Sequence, residues 1–147
     1  HYKFLLFNNA LIKKEVFKHI KLNQDLTHYG GEELDFSFKL NDLFPNMIFA
    51  CPQAVVYRNN YPSFLTHCKR LEEFGFINFK MLSKKLKLDV VNYKILLNKS
   101  YLLQKTICIA DFFISYLNIY ILQKSSYILV RVQFLTSILK GYYKKQE

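Results

Sequence analysis

Acidic side chains are scarce in this 147-residue chain: 11 Asp and Glu stand against 21 Lys and Arg, for a formal net charge of +10. Cysteine is scarcer still. Cys51, Cys68 and Cys108 are odd in number and show neither Cys-x-x-Cys nor zinc-finger spacing. That excludes a disulfide framework and a thiolate zinc knuckle, and fits thiols kept in a reducing compartment. No Asp-x-Asp occurs anywhere, which removes the paired-aspartate motif as a cation ligand; Glu33-Leu34-Asp35 is its nearest imitation. Proline is absent from residues 88–143, where Gly141 is the sole glycine, so nothing there interrupts helix formation. The chain starts at His1 with no visible signal peptide, and is read as the C-terminal part of a longer protein.

What is present describes a globular protein. Half of the residues, 51%, are hydrophobic and 22% are charged, which is the balance of one domain with a core rather than of a disordered chain. Residues 1–85 carry twelve basic and eight acidic side chains, whereas residues 86–147 carry nine and three. A basic, aromatic-rich chain suits nucleic acid, yet no aromatic RNA-binding signature or basic stripe is found, and no nucleic-acid partner is expected. Lys, Asn, Ile, Phe and Tyr are also residues favoured by AT-rich codons, which explains the composition equally well.

Periodicity predicts a strand at 3–8, a short helix at 12–20, and strands at 46–51 and 54–58 on either side of Pro52. Residues 32–43 are ambiguous. Leu34, Phe36, Phe38 and Leu40 alternate as in a half-buried strand, yet Leu34 and Phe38, like Phe36 and Leu40, also stand four apart. Alternation alone prefers the strand. From Pro62 onward, Phe64, Cys68, Leu71, Phe79 and Leu82 recur at helical spacing opposite Lys69, Arg70, Glu72 and Glu73, predicting an amphipathic helix broken at Gly75. His67 beside Cys68 is a poor metal pair, because neighbours on a helix point apart.

The segment Tyr29-Gly30-Gly31-Glu32-Glu33-Leu34-Asp35 concentrates glycine and acid in a chain poor in both. Two glycines let the backbone adopt positive φ or approach a ligand, and the carboxylates after them fall at the first turn of a helix, a workable way to present a general base to a bound hydroxyl. His28, just before the glycines, reads as a solvent-facing loop residue or a neighbour of the acceptor.

Four segments in order carry a family resemblance. They are Asn8-Asn9-Ala10-Leu11-Ile12-Lys13-Lys14-Glu15-Val16-Phe17, Leu22-Asn23-Gln24-Asp25-Leu26, the run from Gly30 to Leu40, and Pro52-Gln53-Ala54-Val55-Val56-Tyr57-Arg58. Together, over residues 4 to about 85, they resemble the C-terminal half of the catalytic domain of family 2 glycosyltransferases. The resemblance implies an α/β, mostly helical fragment: a few short strands of a GT-A-type sheet with amphipathic helices, then a C-terminal helical tail. It divides the chain into residues 1–86, the catalytic part, and 87–147, a basic apolar tail. It makes 32–43 a helix.

The implied chemistry is inverting sugar transfer from a nucleotide-sugar donor to a glycan or lipid-linked acceptor. Glu33 is the catalytic base. Glu32, Gly30, Gly31 and Asp35 form the acceptor side, with Glu32 orienting the acceptor and Asp35 holding the local structure. Arg58 is a weak diphosphate contact. A divalent cation, manganese or magnesium, is implied, with its main ligands upstream and none in this chain. Two positions depart from the family pattern: Glu33 stands where Asp is usual, and Arg58 where His is frequent. The alternative is a non-catalytic module, membrane-associated or protein-binding.

The tail holds long apolar runs at 107–122 and 127–139, interrupted by Asp111, Asn118 and Arg131. A central aspartate costs about 2.5 to 3.5 kcal/mol on membrane insertion, so spanning is disfavoured. A helical hairpin packed on itself or on the catalytic part is one expectation, and an interfacial helix on an anionic membrane, beside Lys124, Arg131, Lys140, Lys144 and Lys145, is the other. The expected location is cytoplasmic, with peripheral attachment to the inner face of the membrane.

Overall fold

The structure, a computed structural model, describes residues 7–57, 59–98, 100–121 and 126–145. Every regular element among them is helical: α1 (Val16–His19), α2 (Glu32–Leu43), α3 (Phe64–Phe76), α4 (Asn78–Met81), α5 (Lys84–Val91), α6 (Tyr101–Tyr116) and α7 (Tyr127–Tyr143). Short 3-10 turns lie at Phe7–Asn9 and Lys94–Leu97, and α6 runs on into a π-helical turn at Leu117–Ile121.

This corrects the α/β expectation, because no strand and no sheet occur among the described residues. Residues 47–51 and 54–57 are irregular, and Phe49, Val55, Val56 and Tyr57 are exposed. The physical reason lies in pairing. A strand needs a neighbour to accept its backbone hydrogen bonds, and here Ala54 N–H turns back to Cys51 O at 3.1 Å and Val55 N–H to Gln53 O at 3.0 Å. Of the strand expected at 3–8, Phe7 and Asn8 instead begin a 3-10 turn, and residues 3–6 lie outside the described residues. Residues 32–43, where alternation preferred a strand, form α2.

Serine caps start three of the helices: the hydroxyls of Ser63, Ser83 and Ser126 accept from the N–H of Thr66, Leu86 and Leu129. Helix α3 does not break at Gly75. It packs on α7 over the most extensive helix–helix contact in the molecule, and a methyl group at Gly75 would lie 1.9 Å from Ile138 O. The relation is reciprocal, since a methyl at Gly141 would lie 1.9 Å from Glu72 O. Glycine at both positions lets the two backbones touch. Around this crossing Phe74, Phe79, Leu82, Leu86, Ile107, Leu139, Tyr142 and Tyr143 form the main core.

Two smaller arrangements complete the fold. Ile20, Phe36 and Leu40 make a separate small core with Phe7, Ile12, Val16, Phe44 and Ile48 around it. Helix α6 doubles back on α7, where Asn118 donates to Leu129 O at 3.1 Å. The C-terminal end of α7 is fastened to the 3-10 turn at Lys94–Leu97, with Tyr143 Oη donating to Leu96 O at 2.7 Å.

Candidate functional site

Gly30 and Gly31 have φ of +83° and +99°, the left-handed region in which a side chain is strained. They also lie on the Phe74 ring, which a Cβ at Gly31 would meet at 3.0 Å. The fully buried Asn78 holds this loop: its Nδ2 donates to His28 O at 2.6 Å and to Gly30 O at 2.7 Å. Asn78 opens α4, separated from the end of α3 by one residue, so the glycine loop is carried on the main core. His28 Nδ1 reaches Glu73 Oε1 at 3.2 Å, and the Arg70 guanidinium sits over the Tyr29 ring at 5.4 Å.

From this loop α2 begins with Glu32, Glu33 and Asp35 in its first turn, where the positive end of the helix dipole favours carboxylates. Their environments differ. Glu33 is half-buried, and its Oε1 accepts the Phe7 N–H at 2.7 Å, which fixes the carboxylate against the small core. Asp35 is buried, with the Lys39 ammonium 2.6 Å from its Oδ2, so it braces α2 one turn on. Glu32 is half-buried at the helix start. Gly30, Gly31, Glu32 and Glu33 are therefore neighbours on one half-buried stretch with Asp35 buried beneath it, whereas Arg58 lies outside the described residues.

A second polar cluster, missed by motif reading, joins α3, α6 and α7. Asp111 is buried, and its Oδ1 accepts from Gln133 Nε2 and from Thr136 Oγ1, both at 2.7 Å. Its Oδ2 lies 3.5 Å from Lys140 Nζ, which also reaches Glu72 Oε2 at 3.1 Å; Lys144 closes the set on Glu72 Oε1. Burial works to raise the Glu72 pKa, but hydrogen bonds from Lys144 and Lys140 outweigh it and hold the carboxyl below 4.5. Burial works to lower the Lys140 pKa, and Glu72 and Asp111 together bring it above 10.5. Burial pushes the Cys68 thiol up, against a hydrogen bond with Ser137. The signal for this cluster was in the sequence: an aspartate inside an apolar helix needs a partner, and Gln133, Thr136 and Lys140 lie on one face of α7.

No group of three His, Cys, Asp or Glu side chains able to hold a metal ion occurs among the described residues, so these residues do not themselves fit the implied divalent cation. His67 packs edge-on against the Phe134 ring, with centroids 4.7 Å apart. Set against protein-family models, curated proteins and solved structures, the chain matches none.

Proposed function

We propose that this chain is the acceptor-side part of an inverting glycosyltransferase similar to family 2, with Glu33 as general base. One observation carries the reading: residues 32–43 form a helix led by two left-handed glycines, with Glu32 and Glu33 in its first turn. Alternation favoured a strand there, and the resemblance required the helix. The reading rests on this local arrangement and on motif order, with no sheet among the described residues.

In the proposed step a carboxylate oxygen of Glu33 takes the proton of an acceptor hydroxyl while the hydroxyl oxygen bonds to the anomeric carbon of the donor. The bond from that carbon to the nucleoside diphosphate breaks, and the diphosphate departs with the electron pair. The Phe7 N–H bond to Glu33 Oε1 orients the base, and Glu32 orients the acceptor. Holding the carboxylate matters because a misplacement of about 1 Å costs on the order of 100-fold in rate.

The test is Glu33→Gln in the full-length protein, assayed with nucleotide-sugar donors. Turnover falls by roughly 100- to 10,000-fold with donor affinity unchanged, since an amide cannot take the proton. Full activity of that variant removes the base. A non-catalytic interaction module is the second reading, favoured by the exposed apolar face of α6, and it expects no sugar transfer from the native protein.

A further inference from the structure

The outward face of α6 and of the π-helical turn that continues it carries Leu102, Ile109, Phe112, Phe113, Tyr116 and Tyr120, which recur at helical spacing and are all exposed. Leu102 is 75% exposed and Phe112 69%. Within the 21 residues Tyr101–Ile121 an 18-residue stretch has a mean hydropathy of 1.2, yet only 11% of that stretch is buried in the protein. Such an apolar face is a contact surface without its partner. At the hairpin tip Tyr127 and Ile128 extend the exposed apolar set.

Charge identifies the partner. Asp111, the acid that interrupts this apolar stretch in sequence, projects to the opposite side of α6 and is buried against Gln133, Thr136 and Lys140. The outward side carries Lys105 instead, its ammonium 4.7 Å from the Tyr101 ring centre. Arg131 stands exposed over Tyr127 at the tip. Residues 86–147 hold nine basic side chains and three acidic ones. Apolar and aromatic side chains fringed by cations, with the helix acid turned inward, match an anionic lipid surface.

We propose that α6 docks in the plane of an anionic membrane through this face, independently of the transferase reading. Helix α7 rules out the transverse orientation, because it is locked on α3 through Gly75 and Gly141 and holds Lys140 against Asp111. Inserting the hairpin would break that crossing and carry an ion pair into hydrocarbon. Lying flat costs neither, and about 30 Å of helix, at ~1.5 Å per residue, contacts the interface.

Flotation of the protein with vesicles tests this. Vesicles of equal phosphatidylglycerol and phosphatidylcholine bind the native protein, and pure phosphatidylcholine binds it at least about tenfold more weakly. Raising sodium chloride from about 0.1 M to about 1 M shortens the screening length from about 10 Å to about 3 Å and releases it. The double substitution Phe112→Ser with Phe113→Ser lowers anionic-vesicle affinity at least about tenfold while leaving the circular dichroism spectrum and unfolding midpoint unchanged, since both rings are exposed. Lys105→Glu, which spares the apolar face, weakens binding in the same direction. Equal binding by native and double-variant protein, indifference to lipid charge and salt, or no binding to either vesicle overturns the assignment. Absence of vesicle binding together with self-association lost in the double variant gives the face to a second copy of the chain instead.

Discussion

Residues 7–57 and the assembly of α3 to α7 are held together in opposite ways. The first has a small core of Ile20, Phe36 and Leu40 with half-buried neighbours, one helix of twelve residues, and an irregular exposed stretch after it. The second has the large core, a backbone-to-backbone helix crossing and a buried polar cluster. Yet the segments on which the proposed function rests are concentrated in the first. The proposed chemistry and the large core thus occupy different parts of the chain, joined where Asn78 grips the glycine loop and where Leu26, Leu34 and Phe38 pack into that core. A loop that presents carboxylates gains its precision from the core beneath it.

The largest expected effect breaks the rigid part. A methyl at Gly75 or Gly141 meets a backbone carbonyl oxygen at 1.9 Å, and backbone has no rotamer by which to yield. Gly75→Ala and Gly141→Ala should each destabilise by about 3 kcal/mol or more, read as a lowered midpoint in urea unfolding. One separation of α3 from α7 accommodates both methyls, so the double substitution should cost less than the sum of the two. Additive losses would mean that the two contacts yield separately, and that α3 and α7 do not move as one interface.

How much of this was readable depends on range. Local signals read well: the helical run after Pro62 that forms α3 and the helical character of the described residues of 88–143 are set by neighbours within a few residues. Gly75 was misread as a break because a glycine in a helix looks like a weakness until the opposing backbone is known, and that backbone lies more than sixty residues away. The expected strands failed for a related reason. Val55, Val56 and Tyr57 have strand-forming side chains, but a strand exists only with a partner, and no partner can be read from the segment itself. The site was half legible. Glycines and carboxylates announced themselves, whereas Asn78, 48 residues from Gly30, gave no local sign.

That link between the two parts is the second target. Asn78→Ala leaves the carbonyls of His28 and Gly30 without their donor in a part-buried site, at an expected cost of about 1 to 3 kcal/mol. The loss should be uneven. Amide exchange at Gly30, Gly31 and the first turn of α2 should accelerate more than exchange in the middle of α7, because the α3–α7 crossing does not use this side chain. Uniform acceleration across both would show that the two regions unfold as one unit and erase the distinction.

The smallest effect sharpens the comparison inside the rigid part, through the ion pairs at its rim. With its folded pKa held below 4.5, Glu72 contributes stability that is fully present above that value and lost as pH falls through the folded value. Lys140, raised above 10.5, contributes stability that is present below 10.5 and lost as pH rises through its folded value. The alkaline limb also includes Tyr143, whose hydroxyl burial pushes to about 12, so unfolding gains from its ionisation between about 10 and 12. The acid limb isolates the salt bridges. Lys140 and Lys144 are 36% and 54% exposed, and solvent screening holds the Glu72 contribution to about 1 kcal/mol or less. Glu72→Gln should therefore lower stability slightly at neutral pH and flatten its decline below pH 4.5, with its effect shrinking as pH falls through the folded value. An acid limb unchanged by the substitution would place the pH sensitivity elsewhere, and would leave the helix crossing held by its glycines and its core alone.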